Sequence, residues 1–364
     1  MKHWRETREV LDRLDAVVRA GHRAALATVI RVRGSAYRRE GAKLLVADDG
    51  STTGNVSGGC LEYDVREVGL AVLRSGEPQL RTYCPGTDAD ALWGTGLGCE
   101  GEIELFVEPA FEARPHDCAR LKGRAPFVVC SIVAGSRDAV GERLTVTSTT
   151  SDGSIGASNL KARVAARARE LMHAGHSALE DLDDHTVFFD VLDPPPRLVV
   201  CGAGDDARPL ARFATDVGFQ VSVVDRRPAM LGPGRFPTEV ECFASDGDSL
   251  SKCLSFDKNC YAVIMTHNLD NDLAYLRSLL ASPVRYVGIL GPRQRTERLL
   301  AGLELALDDS GSRRVYGPVG LDIGAEGAEQ VALAVIAEIL AARSGRPPRS
   351  LRERVSPIHA NADA

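Results

Sequence analysis

The chain has 364 residues, 44% apolar and 26% charged, which is long enough for two buried cores and ordinary for a folded protein. Lys and Arg number 44 against 50 Asp and Glu, a formal charge of −6, so no chain-wide positive field exists to bind nucleic acid. No apolar run reaches the roughly 18–20 residues of a membrane span. The charged start, Met1 to Arg8, lacks the apolar segment of a signal peptide. Nine cysteines are an odd number for a disulfide framework, so a cytoplasmic protein with reduced thiols is expected.

In chain order, Trp4, Leu11, Leu14 and Val18 recur at helical spacing over residues 3–20, and Gly21 supplies a stop. Ala24 to Val32 reads as a strand, followed by a polar loop from Arg33 to Gly41 and a second strand from Ala42 to Ala47. Arg31, Arg33, Arg38, Arg39 and Lys43 form a local basic cluster that suits one small anion. Asp49-Gly50 is a hairpin turn signal. A glycine-rich loop, Gly54 to Cys60, leads into a helix from Leu61 to Leu73. Glu102 to Glu108, Pro126 to Val133 and Arg143 to Thr147 read as strands, and Leu160, Val164, Ala168 and Leu171 as one face of a helix ending near Gly175. Strands and a few helices without βαβ regularity predict an α+β domain over residues 1–193.

Pro194-Pro195-Pro196 excludes helix and central strand. Beyond it, Leu198 to Cys201, Gln220 to Val224, Val240 to Phe243, Ala262 to Thr266 and Val284 to Leu290 are short apolar runs with helical stretches between several of them. That rhythm predicts an α/β domain with a mainly parallel sheet over residues 194–345. Val331, Val335 and Ile339 stripe its final helix, and a loose tail follows over residues 346–364.

The run Leu198 to Ala207 is a strand entering G-x-G-x-x-A, with Gly202, Gly204 and Ala207 at its small positions. The first glycine permits the tight turn, the second lets a pyrophosphate approach backbone, and the small residue lets helix pack on strand. Asp225 closes the next strand, where an acid can bind ribose hydroxyls, and Arg226 and Arg227 beside it could accept a 2′-phosphate. This order of elements predicts a Rossmann-like fold. Thr266-His267-Asn268 and Gly291-Pro292-Arg293-Gln294-Arg295 end two further strands on the expected ligand face, so an anion held by Arg293 or Arg295 is expected there.

Two cysteines differ from the rest. Ser57-Gly58-Gly59-Cys60 stands just before a helix, where the dipole and free N–H groups favour a thiolate. Gly98-Cys99-Glu100-Gly101 is a second glycine-bracketed thiol. Cys130 and Cys201 lie inside apolar strand patterns and are expected in the core. No Cys-x-x-Cys and no His at ligand spacing supports structural zinc.

At these residues the sequence resembles the xanthine dehydrogenase accessory protein family, the XdhC/CoxI group. The resemblance is carried by Gly34-Ser35-Ala36 through Lys43, Val56 through Glu62, Trp93 through Cys99, Tyr286 through Arg293, and Gly317 through Glu326 leading into Glu338-Ile339-Leu340. Asp205-Asp206 and Asn268 depart from the residues common in that family. The resemblance implies a chaperone that binds the molybdenum cofactor (molybdopterin) and presents it for sulfuration by a cysteine desulfurase. Such a protein then helps insert it into an apo-molybdenum hydroxylase of xanthine dehydrogenase type. On that reading Cys60 and Cys99 contact molybdenum or carry sulfur, with Cys60 the metal contact. Ser35, Arg39 and Lys43 hold the pterin phosphate beside Ser57, Gly58 and Gly59. The Rossmann domain, through Gly202, Gly204, Asp225, Arg226, Thr266, His267, Gly291 and Arg293, binds NAD(P) or another nucleotide. A homodimer is expected, without nucleic-acid or membrane partners. The chain lacks iron–sulfur cysteine spacing and is too short for the large molybdenum-binding polypeptide, so the resemblance is to the accessory proteins. An NAD(P)-dependent oxidoreductase is the alternative, with His267 the proton donor available near the nicotinamide.

Overall fold

The computed structural model describes residues 2–34, 36–84, 101–110, 115–303 and 313–355. The chain divides into two compact units, Met1–Pro194 and Pro195–Val355.

The first unit begins with α1 (Lys2–Arg19), whose Trp4, Val10, Leu11, Leu14 and Val17 are buried. Val17 rather than Val18 completes the apolar face. The strands β1 (Ala24–Arg33), β2 (Lys43–Ala47), β3 (Thr52–Gly54), β4 (Gln79–Tyr83) and β5 (Glu102–Ala110) form an antiparallel sheet in the order β3-β2-β1-β5-β4. One face carries Ala25, Ala27, Val29, Leu44, Val46, Leu105 and Val107, which pack under Val65, Val68 and Val72 of α2 (Glu62–Ser75). After α3 (Pro115–Leu121), a second antiparallel sheet contains β6 (Phe127–Ala134), β7 (Arg143–Val146), β8 (Ser151–Ser154), β9 (Ala178–Leu182) and β10 (His185–Leu192). Its order is β8-β7-β6-β10-β9. Cys130, Ile132, Val187, Phe189 and Val191 line the face covered by α4 (Ser158–Ala174).

Strand alternation turns the remaining faces of the two sheets toward each other. Ile30 and Phe106 of one sheet meet Val133 and Phe188 of the other, and α1 closes the side with Leu26 and Leu45 against Phe127 and Leu192. The same alternation places Lys43 of β2 and Asp190 of β10 in this inner layer. Lys43 is 8% exposed and Asp190 3%. Lys43 Nζ donates to Asp190 Oδ2 at 2.5 Å and to the Gly41 carbonyl at 2.8 Å, and His3 Nε2 lies 2.9 Å from Asp190 Oδ1. Arg143 donates to Glu108 in the same layer. Burial works against a charge on Asp190, but Lys43 and His3 outweigh it and hold the carboxyl well below the ordinary range.

The second unit is a parallel sheet of β11 (Arg197–Cys201), β12 (Gln220–Asp225), β13 (Glu241–Ala244), β14 (Cys260–Ile264), β15 (Tyr286–Ile289) and β16 (Val315–Tyr316). The connecting helices are α5 (Ala207–Asp216), α6 (Leu250–Cys253), α7 (Leu269–Leu280), α8 (Arg293–Ala301) and α9 (Gly327–Ser344). The order β13-β12-β11-β14-β15-β16 starts at the centre, runs outward, then crosses to the other side. It is the doubly wound Rossmann order, with its switch point between β11 and β14. The fold is therefore mixed α/β as the sequence indicates. Strands β3, β4, β8, β9, β10 and β16 escaped the sequence reading. In β10 the last six residues are all buried, so it shows no clean alternation to announce it. Among the described residues no helix is long and apolar enough to cross a membrane.

Lys43→Met should cost about 3–5 kcal/mol in guanidinium unfolding of the full chain, because Asp190 stays buried without its cation. Adding Asp190→Leu should recover most of that loss. Since the Asp190 carboxyl titrates lower when folded than when unfolded, its contribution is complete above about pH 4 and is lost as pH falls below it. Asp190→Asn should flatten that acid-side slope.

Candidate functional site

The loop from Asn55 to Leu61 joins β3 to α2, and the first residue of α2 organises it. Glu62 Oε1 accepts the N–H groups of Val56 (3.1 Å) and Ser57 (2.9 Å), and Oε2 accepts the Ser57 hydroxyl (2.6 Å) and the Gly59 N–H (2.9 Å). Ser57 Oγ in turn accepts the Leu61 N–H at 2.9 Å, and Asn55 Oδ1 accepts that of Gly58 at 2.9 Å. Burial opposes ionisation of Glu62, but Ser57 and the backbone donors prevail and lower its carboxyl. Gly58 and Gly59 have φ of +105° and +119°, a region that side chains rarely enter. A Cβ on Gly58 would lie 2.8 Å from the ring of Tyr37, which is 72% exposed, whereas one on Gly59 would meet open space. Cys60 is half-buried beside the α2 core, held by this network rather than by packing alone.

The basic cluster does not converge on this loop. Lys43 is committed to Asp190, Arg31 pairs with Glu104 at 3.1 Å, Arg33 with Glu102 at 2.9 Å, and Arg38 with Glu6. Lys43 therefore has no place in a phosphate site: its alternation position turns it inward. Arg39 is exposed. Ser35 and Cys99 lie outside the described residues. The N–H groups of Ser57, Gly58 and Gly59 are likewise taken by Glu62 and Asn55, so this loop is built to present a side chain. Glu62 and Tyr37 went unnoticed in the sequence: Ser57 and Glu62 stand five residues apart, not the three of a capping box, and Tyr37 reaches Gly58 from a separate loop. Cys130 and Cys201 are buried, and burial pushes both thiols up. Among the described residues no group of three His, Cys, Asp or Glu side chains is placed to hold a metal ion.

In the second unit, the turn Gly202-Ala203-Gly204 leaves β11 at the switch point. Gly202 has φ +115°, and a Cβ there would lie 2.6 Å from the Met265 carbonyl at the end of β14. The glycine thus lets two strand ends approach and leaves the turn open to a ligand backbone contact. Asp225, 3% exposed, accepts the Ala203 N–H (2.8 Å), the Arg227 N–H (2.9 Å) and the Arg227 side chain through Nε (2.9 Å) and Nη2 (2.8 Å). Burial opposes its charge, yet these donors hold it below the ordinary range. Arg226 is exposed beside it. Asp205 and Asp206, at the helix start, each meet a side chain from elsewhere in the unit. Arg235 Nη2 donates to Asp205 at 2.8 Å and to the Ala203 carbonyl at 3.0 Å, and His267 Nε2 lies 2.7 Å from Asp206 Oδ2. His267 adopts φ +59°, an uncommon conformation for a residue with a side chain.

Asp272 on α7 is fully buried and joins two strand-end loops. Thr266 donates to its Oδ1 through Oγ1 (2.5 Å) and N–H (3.2 Å), and Arg295 donates to Oδ2 through Nε (3.0 Å) and Nη2 (2.5 Å). Arg295 is thus a brace whose side chain folds over Gly291, while Arg293 stays exposed near Glu297 at 3.5 Å. Asp272 was missed because its partners lie 6 and 23 residues away on separate loops.

Residues 17–84 and 121–183 match the model described as the XdhC and CoxI family, and residues 198–339 match that of the XdhC Rossmann domain. A Bacillus subtilis protein named as a probable xanthine dehydrogenase component is 33% identical, covering 91% of this chain and 96% of its own. The molybdenum cofactor insertion chaperone PaoD of Escherichia coli is 24% identical, over 89% of this chain and 85% of its own. The crystal structure of a xanthine dehydrogenase from Bacillus halodurans superposes with a TM-score of 0.76 and 30% identity, covering 94% of this chain and 98% of its own.

Glu62→Ala should lower the stability of the full chain in urea by about 1–3 kcal/mol, the usual effect of orphaning donors to a charged acceptor. Alkylation of Cys60 by iodoacetamide, followed by peptide mass spectrometry, should become faster as the loop loosens.

Proposed function

The chain belongs to the XdhC and CoxI family, and on that premise we propose that it is a maturation factor for a molybdenum hydroxylase of xanthine dehydrogenase type. It binds the molybdenum cofactor, supports its sulfuration by a cysteine desulfurase, and assists its insertion into the apo-enzyme. The observation that carries this reading is the Cys60 loop, where a carboxylate holds the loop backbone so that one half-buried thiol is presented in a fixed place.

The residues fit such a group. When bound, the molybdenum cofactor supplies a metal already held by its pterin sulfur atoms, so a single protein thiol suffices and a closed ligand cluster is not needed. Cys60 would be the thiol that holds it. Glu62 fixes the loop, and Gly59 leaves the space beside the thiol open. The exposed Tyr37 ring against Gly58 offers an aromatic face to the pterin. From the sequence, Cys99 and Ser35, which lie outside the described residues, and Arg39 join the proposed set, Cys99 as a second thiol and Ser35 and Arg39 as ligands of the pterin phosphate. In the second unit, Gly202, Gly204 and Asp225 frame a nucleotide site. The likeness to an insertion chaperone of molybdenum cofactor over 89% of the chain supports the assignment.

The full chain, purified from cells with the cofactor pathway intact, should carry molybdenum and a pterin that fluoresces after oxidation. Cys60→Ser should lower both by about tenfold or more, the factor given by about 1.4 kcal/mol of lost binding, with the unfolding curve unchanged. Full molybdenum content and normal client maturation in that variant would remove Cys60 from the mechanism.

A further inference from the structure

The nucleotide site of the second unit discriminates on a feature visible at the end of β12. An acid that binds a ribose diol must have lone pairs free to accept two hydroxyl protons. An ionised carboxylate offers about four such directions. In Asp225 four donors occupy them: Ala203 N–H and Arg227 Nη2 on Oδ2, Arg227 N–H and Nε on Oδ1. The carboxylate is buried, and it serves as an internal brace between the glycine turn and Arg227.

The brace has a second effect. The fork to Asp225 uses two of the five N–H donors of the Arg227 guanidinium, and the others remain available with the group already oriented. Arg226, next in sequence, is exposed and has no hydrogen bond or ion pair among the described residues. Asp225 cancels the charge of Arg227 and leaves Arg226 as an exposed cation at the end of β12, while Asp246 beyond the neighbouring β13 accepts the Ser249 N–H at 2.9 Å. Of the acids at the glycine turn, Asp205 is paired with Arg235, and Asp206 lies against the His267 ring.

We propose that the switch-point crevice takes an adenine dinucleotide bearing a 2′-phosphate on its adenosine ribose, and takes the unphosphorylated dinucleotide poorly. Arg226 and the outward edge of Arg227 receive the phosphate monoester, while the Gly202-Ala203-Gly204 turn faces the pyrophosphate. This inference rests on the reading of the second unit as a nucleotide site and is independent of Cys60.

Isothermal titration calorimetry of the full chain with NADP+, NAD+, 2′,5′-ADP and 5′-AMP tests it. The wild-type chain should bind NADP+ about tenfold or more tighter than NAD+, and 2′,5′-ADP tighter than 5′-AMP, as expected for one charge-assisted phosphate contact. Arg226→Ala, an exposed position, should lower NADP+ affinity about tenfold more than NAD+ affinity. Arg227→Ala should act in the opposite sense on NAD+, because it frees the Asp225 oxygens for the ribose diol and moves the preference toward NAD+. Equal or tighter binding of NAD+ by the wild-type chain, an unchanged preference in Arg226→Ala, or binding of neither dinucleotide would overturn the proposal. Molybdenum and pterin content, measured on the same preparations, reports separately on the maturation reading.

Discussion

A carboxylate removed from water cannot stay charged unless donors replace the water it lost. In this protein that requirement fixes four places where separate segments must meet. Asp190 gathers Lys43 and His3 between two sheets, and Glu62 gathers the backbone of its own preceding loop. Asp225 gathers the glycine turn and Arg227, and Asp272 gathers Thr266 and Arg295. Each acid is partly or wholly buried, and each holds a loop or layer that apolar packing alone would leave free to slide.

The two units use this device differently. In the first, charges are spent on architecture: the apolar layer between the sheets encloses the Lys43–Asp190 and Arg143–Glu108 pairs, and Arg31, Arg33 and Arg38 face carboxylates on β5 and α1. What the Cys60 loop offers is a half-buried thiol, a glycine with open space beside it and an exposed aromatic ring. In the second, the acids around the glycine turn carry partners, Asp205 with Arg235, Asp225 with Arg227 and Asp206 against the His267 ring, and the two arginine pairs balance most of the charge there. The sheet order explains why the balance falls there, since the switch point brings the ends of β11 and β14 together.

Much of the second unit was legible beforehand. Gly202, Gly204 and Ala207 after an apolar strand, with Asp225 at the next strand end, mark a Rossmann turn because each position has one steric job. The first unit was harder. Its resemblance to a known family was readable in Gly58-Gly59-Cys60, but β10 was not, and with it went Asp190. Lys43 therefore looked like a surface cation when its strand position turns it inward. Asp225 shows the same limit: an acid at that spacing reads as a ribose ligand, and only its four donors reveal a brace.

By itself, the sequence determined most of the element types, the change of rhythm at Pro194-Pro195-Pro196 and the glycine turns, because each depends on residues close together in the chain. Tertiary structure decided which charges are free. Lys43 meets Asp190 across 147 residues and Arg295 meets Asp272 across 23, and no local pattern records either meeting. The physical reason is that a charged side chain takes its role from the partner that replaces its water, and that partner is chosen by how strands register and sheets stack.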